Sequence, residues 1–350
     1  MSAVEEFLKL MILDTVIEIM VNEDGAVYVE RSGQPYVERT SLLLSETERL
    51  EVLKSIAGMA ALTPQRPYAD LVGNDGSRIH AMTSPIVKSL VLTVRKRPHK
   101  RPSIEEMVGF KTLSASCAHF LVYAVQLRKN IMICGGTSSG KTTLLNALAA
   151  YLPPQERILI LEDTPELTLP QPHVMYLRTR ISDQKGLPDI TLRELVINTL
   201  RMRPDRLIVG ECRGPEAADM LGAMNVVQDG LLTTLHASSS REVLTRLETL
   251  VLMAGLDMPL RAVRSQIATA IDLIVFMSRL ADGKRRVISV AEVTGMELDN
   301  ITLSELFSAD VRKSPEGLSV SLRSTGLRPK FYDQLRSQGF EPPMNFFENS

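Results

Sequence analysis

Apolar residues are spaced differently in the first part of the chain and in the rest of it. In the first part, β-rich runs such as VIEIMV (16–21) and AVYVE (26–30) flank a Gly-containing turn, which predicts a β-hairpin. A second such turn, NDG (74–76), lies between YADLV and SRIHAM. The intervening SETERLEVLKSIAGMAAL carries apolar residues at helical spacing. This mixture predicts a small α+β domain over residues 1–97.

From about residue 113 the pattern changes to short apolar runs that alternate with amphipathic helical segments. The runs NIMIC, RILILE, RLIVGE and GLLTTLH are separated by segments such as TTLLNALAAYL and PEAADMLGAM. Apolar strands that alternate with helices are typical of a mostly parallel sheet covered on both faces. We therefore predict an α/β domain over residues 113–350, ending in a helical C-terminal region. The basic, proline-containing stretch before it predicts a linker over residues 98–112.

The charge and cysteine content narrow the class of protein. The 350 residues contain 40 Lys and Arg against 41 Asp and Glu, so that the net charge is −1. This balance argues against a nucleic-acid coat and against a polybasic membrane anchor. Cys117, Cys134 and Cys212 have no metal-ligand spacing and fit a reduced, cytosolic compartment. No signal peptide or membrane-spanning run is visible, so we expect a soluble, cytoplasmic protein.

A glycine-rich loop carries the strongest chemical signal. In CGGTSSGKTT, Gly135 is followed by four residues and then by Gly140-Lys141-Thr142, the phosphate-binding pattern G-x-x-x-x-G-K-S/T. Its glycines let the backbone curl so that successive N–H groups face phosphate oxygens, and the helix beginning at Lys141 directs its positive dipole end there. Lys141 is expected to reach the β- and γ-phosphates, and the Thr142 hydroxyl to ligate Mg²⁺. A chance match is disfavoured because the loop joins an apolar strand to an amphipathic helix.

The loop therefore predicts a site for ATP with Mg²⁺. Its nucleotide-binding residues are Gly135, Gly136, Thr137, Ser138, Ser139, Gly140, Lys141, Thr142 and Thr143.

Carboxylates follow two further predicted strands. RILILEDTPEL ends its apolar run at Glu162, and RLIVGE ends at Glu211. In a doubly wound sheet the carboxyl ends of the strands lie on the edge where ligands bind, so either acid can hold a Mg²⁺-bound water or orient the attacking water. Because RLIVGE lacks the usual Asp before the Glu, we assign the metal to Glu211 and the attacking water to Glu162. Which of the two acts as general base is left open.

His236 ends a third such strand, GLLTTLH. A lone histidine on an apolar run is more often a satisfied core residue than a functional one. Here the strand ends at the edge where the phosphate loop is predicted. A histidine at that edge can hydrogen-bond the terminal phosphate and report whether it is present.

These segments together resemble the secretion or traffic ATPases of type II and type IV systems, most closely the CpaF/TadA branch that serves tight-adherence (Flp) pili. GGTSSGKTTLLNAL matches the Walker A box, ILILEDTPEL the acidic box, RMRPDRLIVGECRG the atypical Walker B box and MNVVQDGLLTTLHAS the histidine box. The resemblance covers roughly residues 12–345 and extends into LVLTVRKRP and STGLRPKFYDQL.

The resemblance implies a RecA-like motor domain and a homohexameric ring that works on inner-membrane platform proteins of a pilus or secretion system. It places the chain at the cytoplasmic side of the inner membrane as a peripheral protein, with nucleotide between the N-terminal and motor domains. It also implies that Arg95, Arg180 and Arg213 complete the site across domains or subunits. A planar guanidinium with five donors suits a phosphate approached from a neighbouring domain. Whether such a motor extends, retracts or does both, and what it moves, is left open.

The histidine box departs from the family pattern. Gln228 stands where the family has a first histidine, Val227 and Leu231 replace small residues, and Ser238 stands where asparagine is usual. Glutamine donates and accepts hydrogen bonds but takes up no proton. We still expect hydrolysis, because the other site residues are intact, but the rate or the coupling between subunits is left open.

Two other functions compete with a secretion motor. A ring-shaped nucleic-acid translocating ATPase should line its channel with basic or aromatic side chains, yet aromatic residues make up only 5% of this chain. An assembly module that binds ATP with weak turnover is favoured only by the altered histidine box. The last residues, EPPMNFFENS, are either a frayed tail or a segment docked through Phe346 and Phe347.

Overall fold

A computed structural model describes residues 2–58, 62–97, 101–180, 188–226, 229–314, 317–337, 339 and 341–347 of the chain. The chain divides into two compact units. The smaller unit comprises residues 1–100 with 281–284, and the larger comprises 101–280 with 285–350.

The smaller unit folds as an α+β body with an antiparallel sheet. Its described elements are α1 (Ala3–Ile12), β1 (Val16–Val21), β2 (Ala26–Arg31), β3 (Glu38–Leu43), α2 (Glu46–Ala57), β4 (Tyr68–Val72), β5 (Arg78–Met82) and β6 (Val91–Arg95). The strand order is β3-β2-β1-β6-β5-β4. Strands β1 and β2 form the predicted hairpin, in which Val21 pairs with Val27, and β4 and β5 form the second one. Both helices begin with a serine-glutamate capping box, which satisfies N–H groups at the first turn.

The larger unit begins with two helices and then alternates strands with helices. Its described elements are α3 (Ile104–Gly109), α4 (Ala115–Gln126), β7 (Ile131–Gly135), α5 (Lys141–Ala149), β8 (Ile158–Glu162), β9 (Val174–Arg178), α6 (Leu192–Thr199), β10 (Arg206–Cys212), α7 (Glu216–Val226), β11 (Leu232–Leu235), α8 (Ser240–Leu252), α9 (Leu260–Ala270), β12 (Leu273–Arg279), β13 (Arg285–Glu297), β14 (Asn300–Ser314), β15 (Gly317–Ser324) and α10 (Phe331–Ser337). The strands form one sheet in the order β15-β14-β13-β12-β7-β11-β10-β8-β9.

Strands β12, β7, β11, β10, β8 and β9 are parallel to one another, and β13, β14 and β15 add an antiparallel extension. Successive residues of β7 enter different cores: Ile131 and Ile133 pack on one face of the sheet, while Met132 and Cys134 pack on the other. Helices α4 and α5 cover the first face, and α7 to α9 cover the second. Every residue of β7 and β8 is buried, as the continuous apolar runs predict for a sheet covered on both sides. The predicted α/β fold is therefore confirmed.

Two segments differ from the predicted boundaries. Helix α3 lies inside the range assigned to a linker, and its Ile104 and Met107 are buried in the core of the larger unit. The C-terminal region, expected to be helical, is helical in α8 and α9 but then forms the four strands β12 to β15. Strand β12 joins the sheet directly beside β7, so its apolar residues are buried as a central strand rather than as a helix face.

Candidate functional site

The loop that follows β7, hereafter the P-loop (residues 135–142), has the backbone that phosphate binding requires. Ser138 and Gly140 both have positive φ values, 57° and 97°. A Cβ on Gly135 would lie 2.3 Å from the Met277 carbonyl oxygen, so no larger residue fits there. Helix α5 has no side-chain hydrogen bond at its N-cap, Gly140, which leaves its first N–H groups for an anion. Lys141 is buried and its Nζ donates to the carbonyl oxygens of Gly135 and Gly136, both at 3.0 Å.

Strand register brings the predicted acids and the histidine to the same sheet edge as the P-loop. Leu161 pairs with Val209, and Leu235 pairs with both Cys212 and Cys134. Glu162 directly follows Leu161 and His236 directly follows Leu235, while Glu211 lies between Val209 and Cys212, where the register shifts. The carboxyl ends of β8, β10, β11 and β7 therefore present these three residues and the P-loop together, as predicted from the pattern of strands.

Glu162 is the most buried of the three, at 4% exposure. Its Oε1 accepts hydrogen bonds from the backbone N–H groups of Glu166 and Leu167, both at 2.8 Å. Burial raises the pKa of the Glu162 carboxyl, although these two N–H donors counteract part of the rise. A glutamate with a raised pKa is better matched to accepting a proton near neutral pH than an ordinary one.

The missing Asp of the Walker B box has a steric explanation. Gly210 stands at that position, and a Cβ on it would lie 3.0 Å from Cγ of Glu162. The side chain of Glu162 therefore occupies the space beside Gly210. The glycine leaves room for the acid of the neighbouring strand.

Glu211 forms an ion pair with the Arg213 side chain. Its Oε2 accepts a hydrogen bond from Arg213 Nε at 2.7 Å and a second one from Nη2 of the same side chain. Its Oε1 is buried and lies 2.8 Å from His236 Nε2. Burial, followed by the nearby Lys141 charge, lowers the pKa of His236, and Glu211 only partly opposes this effect. This lowered pKa favours the neutral form of the imidazole.

Of the four departures from the family pattern in the histidine box, the structure describes two, Ser238 and Leu231. Ser238 donates both its backbone N–H and its hydroxyl to Glu242, which fixes the turn between β11 and α8. Leu231 is fully buried in the core beneath β11. Val227 and Gln228 lie outside the described residues.

The three arginines implied by the resemblance lie in different surroundings. Arg213 is half-exposed beside Glu211, and its Nη1 lies 3.9 Å from Asp163. Arg180 donates to the Pro188 carbonyl oxygen at 3.1 and 3.3 Å, so its guanidinium is held by local backbone. Arg95 lies at the exposed end of β6 in the smaller unit and pairs across the sheet with Glu18 and Arg78.

The arrangement fits a nucleotide with a divalent cation. The Ser139 hydroxyl oxygen in the P-loop is buried and has no hydrogen-bond partner, which is costly unless a ligand satisfies it. No cluster of three or more His, Cys, Asp or Glu able to hold a metal ion occurs among the described residues. A cation here would thus depend on phosphate oxygens and water besides Thr142 and Glu211, as is usual for Mg²⁺.

Two further polar residues support the site and were not selected from the sequence. Asn146 Oδ1 accepts a hydrogen bond from Thr168 N at 2.8 Å. Gln171 Nε2 donates to the carbonyl oxygens of Ala149, Ala150 and Leu152, at the end of α5. They attach the segment 166–171, hereafter the acidic-box strap, to the P-loop helix and the residues after it, and Glu162 attaches the start of the strap to the end of β8. Their partners are distant in sequence, so no local pattern indicates them.

Comparison with known proteins agrees with this architecture. The family model for type II/IV secretion system proteins matches residues 4–297. The conjugal transfer protein TrbB of Rhizobium radiobacter is 33% identical over 285 residues, which cover 80% of this chain and 84% of TrbB. The type IV secretion system protein VirB11 of Bartonella henselae is 30% identical over 317 residues, covering 79% of this chain and 88% of VirB11.

A solved structure shares the fold. The X-ray structure of the Legionella pneumophila ATPase DotB aligns with a TM-score of 0.60 and 22% identity, covering 81% of this chain and 78% of DotB. Within the described part of the chain, no helix is both long enough and apolar enough to span a membrane.

Proposed function

The chain belongs to the type II/IV secretion system protein family, and we propose that it hydrolyses ATP to drive a secretion or pilus-assembly machine. One observation carries the ATPase assignment: the P-loop, Glu162, Glu211 and His236 converge at the carboxyl edge of four adjacent parallel strands. The chemistry of phosphoryl transfer needs these elements: a cradle for phosphate, an acid beside the metal, an acid beside water and a donor to the terminal phosphate.

Each residue has a role in this proposal. The P-loop N–H groups and Lys141 bind the phosphates, and Lys141 leaves its two carbonyl partners to do so. Thr142 and Glu211 would hold Mg²⁺, which when bound neutralises charge on the phosphates. Two backbone donors hold Oε1 of Glu162 and so fix the direction of its carboxylate. In this orientation Glu162 orients the attacking water. Neutral His236 hydrogen-bonds the terminal phosphate.

The motor function rests on the family and on the arginines. We propose a homohexamer in which Arg95, Arg180 and Arg213 complete the site across domains or subunits. A nucleotide that bridges domains only while its γ-phosphate is present favours a closed form, and hydrolysis releases that form. Relatives that act in conjugal transfer and type IV secretion support a secretion role, and the sequence resemblance extends the proposal to tight-adherence pili at the inner membrane.

The experiment is the Mg²⁺-dependent ATPase rate per subunit, measured over a range of protein concentrations. Glu211→Gln serves as the blank, and Glu297→Gln, at an exposed residue at the end of β13, serves as the matched control. We expect a rate that rises as the protein assembles, vanishes in Glu211→Gln and is unchanged in Glu297→Gln. Tight ATP binding with no turnover at any concentration would instead support the ATP-binding assembly module. Stimulation by polynucleotide would support a nucleic-acid translocase.

A further inference from the structure

An arginine outside the predicted site residues contacts the P-loop. Arg285 Nε donates to the Ser138 carbonyl oxygen at 2.8 Å, across 147 positions of sequence. The aliphatic stem of Arg285 also lies against the loop, because a Cβ on Gly140 would be 3.3 Å from its Cδ and 3.7 Å from its Cβ. Arg285 is partly buried at the start of β13. One side chain thus touches the P-loop at two points.

The sheet topology explains how Arg285 reaches this place. Gly135 at the end of β7 pairs with Met277 of β12, and Met277 pairs with Val287 of β13. Strand β13 runs antiparallel to β12, so Arg285, two residues before Val287, lies beyond the end of β7. That is the position of the P-loop. The antiparallel extension of the sheet therefore supplies a side chain to the nucleotide site of the parallel part.

The contacts bear on the part of the loop that is hardest to form. Ser138 is a non-glycine residue with φ 57°, in the left-handed region that side chains disfavour. Arg285 binds the carbonyl oxygen of this residue, so it stabilises the left-handed turn of a loop whose N–H groups are expected to bind phosphate. A guanidinium suits this task because it stays charged and donates in a fixed plane.

We propose that Arg285 is a positioning residue of the nucleotide site, which holds the P-loop in its phosphate-binding conformation through Ser138 and Gly140. This inference rests on the proposed nucleotide-binding function. The proposal makes different predictions for nucleotide binding and for the hydrolysis of bound ATP. The contacts of Arg285 with the P-loop are at Ser138 and Gly140, so its loss should weaken nucleotide binding and leave the hydrolysis of bound ATP nearly unchanged.

The test measures the Kd of a fluorescent ADP analogue, the kcat and KM for ATP, and the thermal shift induced by ADP. Arg285→Met keeps most of the stem and loses the donor, and we expect it to raise Kd and KM about tenfold, the scale of one charge-assisted hydrogen bond. Its kcat should stay within about twofold of wild type. Arg285→Lys, which restores a charged donor, should recover part of the affinity. Arg312→Met, on β14 and paired with Asp310, is the matched control and should change nothing.

The outcomes distinguish the inference from the function on which it depends. If the wild-type protein binds no ADP or ATP, the proposed function fails, and the inference fails with it. If wild type binds nucleotide and Arg285→Met binds equally well, only the inference is overturned. It is also overturned if Arg285→Met and Arg285→Lys lower kcat and the nucleotide-free melting temperature together while Kd is unchanged, because the residue would then be purely structural.

Discussion

At the scale of single residues, Gly210 stands where an Asp is usual before the Walker B Glu, and it leaves space for the side chain of Glu162. A Cβ on residue 210 would lie 3.0 Å from Cγ of Glu162, closer than ordinary van der Waals contact, so the Glu162 side chain would have to shift. We predict that Gly210→Ala displaces Glu162 and lowers kcat about 10- to 100-fold, since small misplacements of a catalytic group have effects of this size. Steady-state ATPase kinetics measure it. Gly222→Ala, in α7 where nothing lies within 4 Å of the new Cβ, is the control. Equal kcat values for Gly210→Ala and wild type would refute the steric argument.

Some site residues could be predicted from a local sequence motif, whereas others depend on contacts between distant parts of the chain. Lys141, Glu162 and Glu211 could be predicted because each follows directly from a strand run or a loop motif, and parallel strands bring such positions to one edge. The contact between Glu211 and Arg213 could not be predicted as a pair, because it depends on side-chain conformation. Arg285 could not be found either, since β13 reaches the P-loop only through tertiary pairing with β12.

The shifted pKa of His236 predicts a pH dependence of stability. Burial and the Lys141 charge lower this pKa from 6.5 in the folded state, so the unfolded chain binds the proton more readily. The contribution of His236 is therefore present above about pH 6.5 and is lost as the pH falls toward the folded pKa. We expect the melting temperature of wild type minus that of His236→Asn to decrease between pH 7.5 and pH 5.5. A constant difference would show that folding does not shift the pKa of His236, and a difference that grows on acidification would show that folding raises it.

At the scale of elements, the acidic-box strap couples Glu162 to the P-loop helix. Gln171 is buried and donates to three carbonyl oxygens at the end of α5. A carboxylate there cannot donate and would face those oxygens, so we predict that Gln171→Glu costs about 1–3 kcal/mol of unfolding free energy. Denaturant unfolding followed by circular dichroism measures the loss. Gln155→Glu, in an exposed turn, should cost much less. Similar values for the two variants would mean that the hydrogen bonds of Gln171 do not stabilise the fold.

Strands and helices were predicted correctly where the pattern of apolar residues is compatible with only one type of element. Buried runs such as ILILE and the hairpin turns of the smaller unit match their strands. The C-terminal region was expected to be helical, and a short apolar run such as LIVFMSR does not by itself distinguish a buried helix from a central strand. Its position beside β7 decides for the strand.

At the scale of the whole molecule, the end of the chain contributes to the core of the larger unit. The sequence left open whether the last residues fray or dock. Phe347 is 6% exposed, and its ring centroid lies 5.3 Å from that of Phe120 in α4 and 5.6 Å from that of Phe307 in β14. The docked interpretation therefore holds for residues 341–347, which fasten the antiparallel extension to a helix of the parallel part.

This packing predicts an effect far from the nucleotide site. Phe347→Ala should cost about 3 kcal/mol, the scale of a buried phenylalanine replaced by alanine, because it opens a cavity between α4 and β14. Phe110→Ala, at a residue 65% exposed, should cost about 0.5 kcal/mol or less. Hydrogen–deuterium exchange of peptides from α4 and β14 reports on the larger unit alone, and their protection should fall in Phe347→Ala only. If both variants exchanged alike, the tail would be packed too weakly to matter. If protection falls as expected, removal of the chain terminus should destabilise the sheet that carries the P-loop, since α4 and β7 contribute residues to the same core.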